Sequence, residues 1–256
     1  MRADLYLFTS GRAKSREAAK KLISAGGVTL DGRTLTKPSE EIDEGIPHET
    51  VITAAEKFVS RGGLKLEAAL DRFGIDVTGF SALDIGASTG GFTDCLLKRG
   101  AASVTAVDSG KGQLDPSLAS DRRVRSIEKY NARELSPDIL PGGADIVVMD
   151  VSFISQTLII PAVPAVMKPD GYFVSLIKPQ FEAGRAAVGK GGIVRDAGAR
   201  LASVMRVTDS ASGVGLVCTG LIVSPITGGD GNTEYLACFR KNGRALDFET
   251  LKKIVR

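Results

Sequence analysis

The chain has 256 residues, 43% hydrophobic and 25% charged, with a formal net charge of +3. That is the make-up of a soluble globular protein, either one large domain or one of ordinary size plus a small one. Three widely spaced cysteines (Cys95, Cys218, Cys238) and one histidine (His48) argue against a disulfide framework, a metal-ligand pattern and a Ser-His-Asp triad. The cysteines read as buried reduced thiols and no metal is expected. The longest apolar run, Leu158 to Met167, is too short to cross a bilayer and holds two prolines. The charged start has no apolar core leading to a cleavage site, so a cytoplasmic protein is expected.

Residues 1–53 predict a small α+β module. Ser15 is a plausible N-cap, and Ala19, Leu22 and Ile23 form one apolar helix face that Gly26-Gly27 ends. VTL and RTL flank Asp31-Gly32 as a hairpin, and TVIT is a further short strand. Charge is segregated: residues 1–37 carry eight Lys or Arg against three acids, and residues 38–57 carry six acids against one Lys. A solvated helix surface would explain the basic cluster, but so would a grip on a phosphate backbone.

Residues 54–60 read as a linker, and 61–256 as a second domain. RGGLKLEAALDRFG predicts a helix with Leu66, Ala69, Leu70 and Phe73 on one stripe and a stop at Gly74. From Ser81 onward strands and helices alternate. The strands are ALDI, SVTAV, RVRSI, DIVVM, YFVSLI, GLVCTGLIV and EYLACF, with helices at about 91–98, 156–167 and 196–212. Alternation implies an α/β fold with a parallel, doubly wound, Rossmann-like sheet, and the last two strands, joined without a helix, imply an antiparallel insertion. A seven-stranded order of the 3-2-1-4-5-7-6 kind is expected.

The stretch LDIGASTGGFTDCLL should lie beyond the carboxyl ends of the strands, where such sheets bind ligands. It lacks the Lys-Ser/Thr of a Walker loop, and Gly86, Gly90 and Gly91 are misspaced for a dinucleotide fingerprint. The pattern is Asp84-x-Gly86-x-Ser88-x-Gly90, and the next strand ends in Asp108. An acid before the loop disfavours pyrophosphate and suits a cation, and a carboxylate at the second strand end suits ribose hydroxyls. S-adenosylmethionine fits both, because glycine lets the backbone approach its amino-acid part. A dinucleotide and a non-binding loop remain the alternatives. The expected cofactor set is Asp84, Gly86, Ala87, Ser88, Thr89, Gly90, Gly91, Phe92, Asp108 and Asp150.

Asp150 ends DIVVMD, Lys178 ends YFVSLIK, Glu234 begins EYLACF, and Lys65 sits in RGGLK. Lone strand-end charges are usually solvated. Gathered at one methyl donor, they suit transfer to a ribose hydroxyl, which must lose its proton as it attacks. A lysine accepts that proton only when burial or a second cation disfavours its ammonium form. Lys178 is expected to be the base, or at least the group that holds the hydroxyl, with Asp150 its orienting partner and Lys65 and Glu234 completing the cluster. The long glycine-rich loop after Lys178, carrying Arg185, Lys190 and Arg195, reads as an RNA clamp or as a mobile surface loop.

FVSRGGLKLEAAL, ALDIGASTGGFTDCLL, VVMDVSFIS, LIKPQFEAGR with VGKGGIVRD, and SPITGGDGNTEYL together resemble the TlyA family over nearly the whole chain. Its members often carry the name hemolysin A. They are similar to FtsJ-type ribosomal RNA ribose methyltransferases preceded by an RNA-binding domain of the ribosomal S-four type. The resemblance implies an S-adenosylmethionine-dependent 2′-O-methyltransferase acting on ribosomal RNA, with a Lys-Asp-Lys-Glu set at Lys65, Asp150, Lys178 and Glu234. It implies RNA contacts by Arg12, Lys14, Arg16, Lys20, Lys21, Arg33, Arg61, Arg185 and Lys190. Two stretches depart from the family pattern. SGKGQL, with Ser109 and Lys111, replaces an apolar and aromatic run, and the opening MRADLYLFTSGRAKSREAAKKL is a loose match.

Three other functions compete. A membrane-active hemolysin lacks a span, a signal peptide and a strongly amphipathic basic helix. A non-catalytic ribosome-assembly factor has no use for the polar set. A protein or small-molecule methyltransferase has no use for the basic module.

Overall fold

A computed structural model describes residues 1–13, 15–24, 26–52 and 57–255. They form two compact units, Met1–Arg61 and Gly62–Arg256. Lys14 and residues 54–56 of the expected linker lie outside the described residues.

The first unit holds α1 (Ala3–Thr9), α2 (Arg16–Ser24), β1 (Val28–Leu30), β2 (Arg33–Thr34) and β3 (Thr50–Ile52), with the antiparallel sheet ordered β2-β1-β3. Ser15 does cap α2: its Oγ accepts the Ala18 N–H at 3.0 Å. The helix ends where Gly26 turns left-handed (φ +73°) and Gly27 N–H bonds back to the Leu22 carbonyl at 3.0 Å. Asp31 and Gly32 both have positive φ, as a two-residue hairpin turn with matching twist requires. Ala19, Ile23, Val28 and Leu30 close over Ala3, Leu7, Leu35 and Ile42 as the core.

Helix α1 was not legible in the sequence. Arg2 gives it no side-chain cap, and its first N–H groups are instead met by the carbonyls of Glu40 and Pro38 at 2.8 and 3.0 Å. Its Asp4 is buried, and hydrogen bonds from Arg2 and then Arg16 hold the carboxyl down at about 2.

In the second unit the order is α3 (Gly62–Phe73), β4 (Ser81–Ile85), α4 (Gly91–Lys98), β5 (Ser103–Val107), α5 (Pro116–Ala119), β6 (Val124–Ile127), β7 (Ala144–Met149), α6 (Val163–Val166), β8 (Met167–Ile177), α7 (Pro179–Glu182), α8 (Ala197–Ser212), β9 (Val217–Val223), β10 (Tyr235–Arg240) and α9 (Phe248–Ile254). The seven strands run β6-β5-β4-β7-β8-β10-β9, the expected 3-2-1-4-5-7-6 order, with β10 antiparallel to both neighbours. Strands covered on both faces read as unbroken apolar runs, and in β7 five of six residues are buried. Ile85 pairs with both Val107 and Met149, so the carboxyl ends of β4, β5 and β7 come level.

One expected element fails. Residues 156–167 do not make a continuous helix. They break into 3-10 turns at Gln156–Leu158 and Ile160–Ala162, one α turn at Val163–Val166, and then β8. Pro161 and Pro164 each sit in the first turn of a separate piece, because proline lacks the N–H that a continuing helix needs. The three cysteines are free and buried, and burial pushes the Cys218 thiol up to about 12, so it is unreactive.

Candidate active site

The loop after β4 is pinned at both ends. Gly86 and Ala87 N–H groups bond the Val107 carbonyl at 2.9 and 3.2 Å. At Gly86 (φ +81°) a Cβ would lie 2.5 Å from the Asp150 carbonyl oxygen, so only glycine lets the loop close on the end of β7. Asp108 organises the floor. Its Oδ2 accepts the Ser88 N–H at 2.8 Å and its Oδ1 the Gly110 N–H at 2.7 Å. Between these parts lies a cleft of about 370 Å³, lined by Gly86, Ser88, Asp108, Ser109, Gln113, Tyr130, Asn131 and the run Asp150–Ile154 among others.

Several expected cofactor residues stand elsewhere. Asp84 does not line this cleft. It is fully buried behind the loop, its Oδ2 accepts from Thr93 Oγ1 of α4 at 2.7 Å, and its Oδ1 has no partner. Burial pushes its carboxyl up to about 7; the Thr93 hydrogen bond opposes this, and the nearby Asp150 and Asp108 charges add to it. Thr89 is exposed beside the cleft wall, while Gly91 and Phe92 start α4 facing the interior. Ala87 lines a neighbouring shallow recess, and Gly90 (φ +94°) abuts Leu114 and Leu118. Gln113, Tyr130, Asn131, Ser152 and Phe153 line the cleft without having been expected there, although SGKGQL holds Gln113 and VVMDVSFIS holds Ser152 and Phe153.

The three strand-end charges and Lys65 of α3 form two ion pairs. Tyr235 pairs with Ile177 across β10 and β8, which sets Glu234 opposite Lys178 in the antiparallel register. Lys65 Nζ, from α3, lies 2.5 Å from Glu234 Oε2, and the residues are 7% and 2% exposed. Lys178 Nζ lies 2.5 Å from Asp150 Oδ1, an ion pair off the angles of a hydrogen bond, and donates to Ser152 Oγ at 2.8 Å. Gly228 leaves room for this cluster, since a Cβ there would be 2.5 Å from Glu234 Oε1. Buried ion pairs return little net stability, because desolvation offsets the attraction. A buried pair at Lys65–Glu234, and a half-buried one at Lys178–Asp150 whose Asp150 lines the cleft, therefore point to chemistry.

Phe153 is 93% exposed with φ +64°, a conformation that costs a bulky residue energy, and its ring packs against Phe181 at 5.3 Å. Strained, exposed aromatics of this kind cluster at ligand sites.

The basic residues of the first unit are partly engaged. Arg16 pairs with Asp4 at 3.0 Å, Lys20 with Glu17 at 3.0 Å, and Arg33 with Glu40. The acidic stretch thus folds back on the basic one at Arg33, rather than forming a separate face there. Arg12 sits over the Tyr6 ring at 5.7 Å, and Lys21 is exposed. Arg61 is half-buried beside Gly26, while Arg185 and Lys190 are exposed on their loop. Among the described residues there is no group of three or more potential metal ligands, and no helix is long and apolar enough to cross a membrane.

A family model of FtsJ-like methyltransferases matches residues 58–241, and one of the S4 domain matches residues 1–45. The chain belongs to the FtsJ-like methyltransferase family and carries an N-terminal S4 domain. It is 43% identical over 255 residues to the 16S/23S rRNA (cytidine-2'-O)-methyltransferase TlyA of Mycobacterium tuberculosis, covering 99% of this chain and 95% of that one. It is equally 43% identical over 240 residues to Hemolysin A of Brachyspira hyodysenteriae, covering 93% and 99%. A solved Streptococcus thermophilus structure with a provisional hemolysin name is similar at TM-score 0.77 and 41% identity, covering 100% of this chain and 94% of that one.

Proposed function

We propose that the protein transfers the methyl group of S-adenosylmethionine to the 2′-hydroxyl of a cytidine in ribosomal RNA. The observation that carries this reading is Lys178 paired to Asp150 and Ser152 of the cleft lining, with the buried Lys65–Glu234 pair following on the neighbouring strand end, where register sets Glu234 opposite Lys178. The cytidine and the ribosomal RNA come from the named activity of the Mycobacterium tuberculosis relative and from the S4 match. That setting is cytoplasmic.

The residues present suit the cofactor. Gly86 and Ser88 present backbone to the cleft, Asp108 faces it with lone pairs left for ribose hydroxyls, and Asp84 Oδ1 is an unpartnered buried acceptor behind the loop. When bound, S-adenosylmethionine supplies an electrophilic methyl carbon on a cationic sulfur. Asp150 and Ser152 occupy two directions around Lys178 Nζ and leave a third for the acceptor hydroxyl. Paired to Asp150 as an ammonium, Lys178 would hold the acceptor hydroxyl. To act as base, Nζ would first give up one proton to Asp150 or to water. The neutral amine would then receive the hydroxyl proton as the oxygen bonds to carbon and the carbon–sulfur bond breaks. Asp150 fixes its orientation, and the Lys65–Glu234 pair holds the neighbouring wall. The rest is alignment, which is proximity catalysis.

Phe153 offers a face on which a base can stack, a contact worth about 1–3 kcal/mol in single-strand recognition. Phe153→Ala is expected to raise KM for RNA about 5- to 100-fold with cofactor affinity intact; unchanged KM removes the stacking role. In the first unit, reversing Lys20 and Lys21 to Glu is expected to weaken RNA binding and flatten its salt dependence. Binding that keeps its strength and slope would show that α2 is not the grip.

The reading is tested with methyl-labelled S-adenosylmethionine and ribosomal subunits from a strain lacking the enzyme. Label is expected in the RNA. Label in protein alone, or none despite proven cofactor binding, overturns it and favours another acceptor or a non-catalytic assembly factor.

A further inference from the structure

A buried carboxylate that the transfer step does not use lies beside the cleft. Glu182, the last residue of α7, is 1% exposed. Its Oε2 accepts from Ser155 Oγ at 2.5 Å and its Oε1 from the Gln156 N–H at 2.8 Å. Arg206 reaches only the Glu182 carbonyl oxygen, at 2.6 Å, so no cation bonds the carboxylate itself. Burial raises its pKa, with the Ser155 and Gln156 hydrogen bonds opposing. The Arg206 charge opposes it too, without bonding the carboxylate. A buried acid held this way is costly, and an ordinary turn does not need one.

Gln156, also 1% exposed, extends the tie. Its Nε2 donates to the Leu176 carbonyl at 2.6 Å and its Oε1 accepts from Ser175 Oγ at 2.5 Å. Residues 155 and 156 are thus fastened to β8 just before Lys178 and to α7 just after it. At the other end, the Asp150 N–H is fixed on the Ile85 carbonyl at 3.0 Å. The short span 151–154 between these anchors carries Ser152, bonded to Lys178, and Phe153 in its left-handed conformation. Strain of that kind persists only where the surroundings over-determine it.

We infer that Glu182 is a positioning residue: its carboxylate clamps Ser155 and Gln156 and so holds Ser152 against Lys178 and Phe153 at the cleft. This rests on reading the cleft as the methyl-transfer site. Loss of the clamp lets Phe153 relax to an extended backbone and Ser152 leave Nζ, while the glycine loop and Asp108 stay in place.

The test compares Glu182→Ala and Glu182→Gln with the wild-type chain by hydrogen–deuterium exchange of residues 151–156, by S-adenosylmethionine affinity, and by kcat and KM on ribosomal subunits. In Glu182→Ala, exchange in that segment should quicken and kcat fall on the order of 10²-fold, with cofactor affinity kept. Glu182→Gln keeps an acceptor for the Gln156 N–H and a partner for Ser155, and should recover most of the rate. In a Ser152→Ala/Phe153→Ala background, Glu182→Ala should cost little more, because the groups it holds are gone. Unchanged exchange, a normal kcat, or a loss that multiplies with that background would overturn the proposal. Should Glu182→Ala not fold, Ser155→Ala carries the same comparison. It removes the Oε2 contact together with the Ser155 Oγ bonds to Thr157, and Thr157→Val, which removes only the Thr157 hydroxyl, serves as its control. Should the wild-type chain transfer no methyl to RNA, the reading of the cleft fails, and exchange alone then decides the clamp.

Discussion

The Lys178→Ala variant is expected to lose methyl transfer by about 10²- to 10⁴-fold in kcat, the range over which a positioned acid or base acts, while cofactor affinity stays near wild type. The geometry separates the two effects. Lys178 stands at the end of β8, paired to Asp150 and Ser152, whereas the proposed cofactor site is the loop after β4 with Asp108 at the end of β5. Removing Nζ leaves the Asp150 carboxylate without its cation but does not touch the glycine loop. Lys178→Arg is no rescue, because a guanidinium does not give up its proton at any working pH. Normal turnover by Lys178→Ala in folded protein would remove the lysine from the proton-transfer role, and Lys65 would become the first candidate to replace it.

Asp84→Asn should have two opposed effects of comparable size. In the ligand-free protein Asp84 has a pKa of about 7 against an ordinary 3.8, chiefly through burial. Between those values the folded chain holds a proton that the unfolded chain has shed, so stability falls as pH rises from about 4 to 7 and levels off above. The loss amounts to at most roughly 4 kcal/mol for this group. Asparagine has no proton to lose and can still accept from Thr93, so the variant should flatten that slope and melt higher than wild type at pH 8. The same change should weaken S-adenosylmethionine about 10- to 100-fold, the worth of a charge-assisted hydrogen bond. Oδ1 is unpartnered but lies behind the loop, so the effect requires the loop after β4 to open onto it on binding. A cationic amino group there favours the carboxylate, and binding to the wild-type chain should then release a proton below pH 7 and tighten as pH rises. Calorimetry in buffers of different ionisation heat reads that proton directly. If wild type and Asp84→Asn bind equally, with no proton release, Asp84 is a structural acid of the core.

These two residues also show what could be read in the chain and what could not. Lys65, Asp150, Lys178 and Glu234 were legible because each sits at a strand end or just ahead of the sheet, and strand order in a doubly wound fold brings such ends together. Asp84 was legible as an acid before a glycine loop, but not the side it faces. It lies one residue inside β4, where alternation turns it towards Thr93 on α4 rather than into the cleft. Phe153 and Ser152 escaped notice because nothing in VSFIS announces a left-handed backbone; the span is bent by ties at Asp150 and Glu182 far apart in sequence. The expected 156–167 helix rested on the alternation of strands and helices, whereas Pro161 and Pro164, both visible in the chain, break it by elementary stereochemistry. In the first unit, charge counting found the basic cluster but not that Asp4, Glu17 and Glu40 engage Arg16, Lys20 and Arg33, since those pairings depend on a short helix held by tertiary contacts.

The measurement that bears most directly on the central claim is the chemical identity of the methylated nucleoside. Ribosomal RNA labelled by the protein is digested completely and its nucleosides are separated, with Lys178→Ala run alongside. The account predicts label on the ribose of cytidine as 2′-O-methylcytidine, absent with the variant. Label on a base, or label that survives Lys178→Ala, would contradict it.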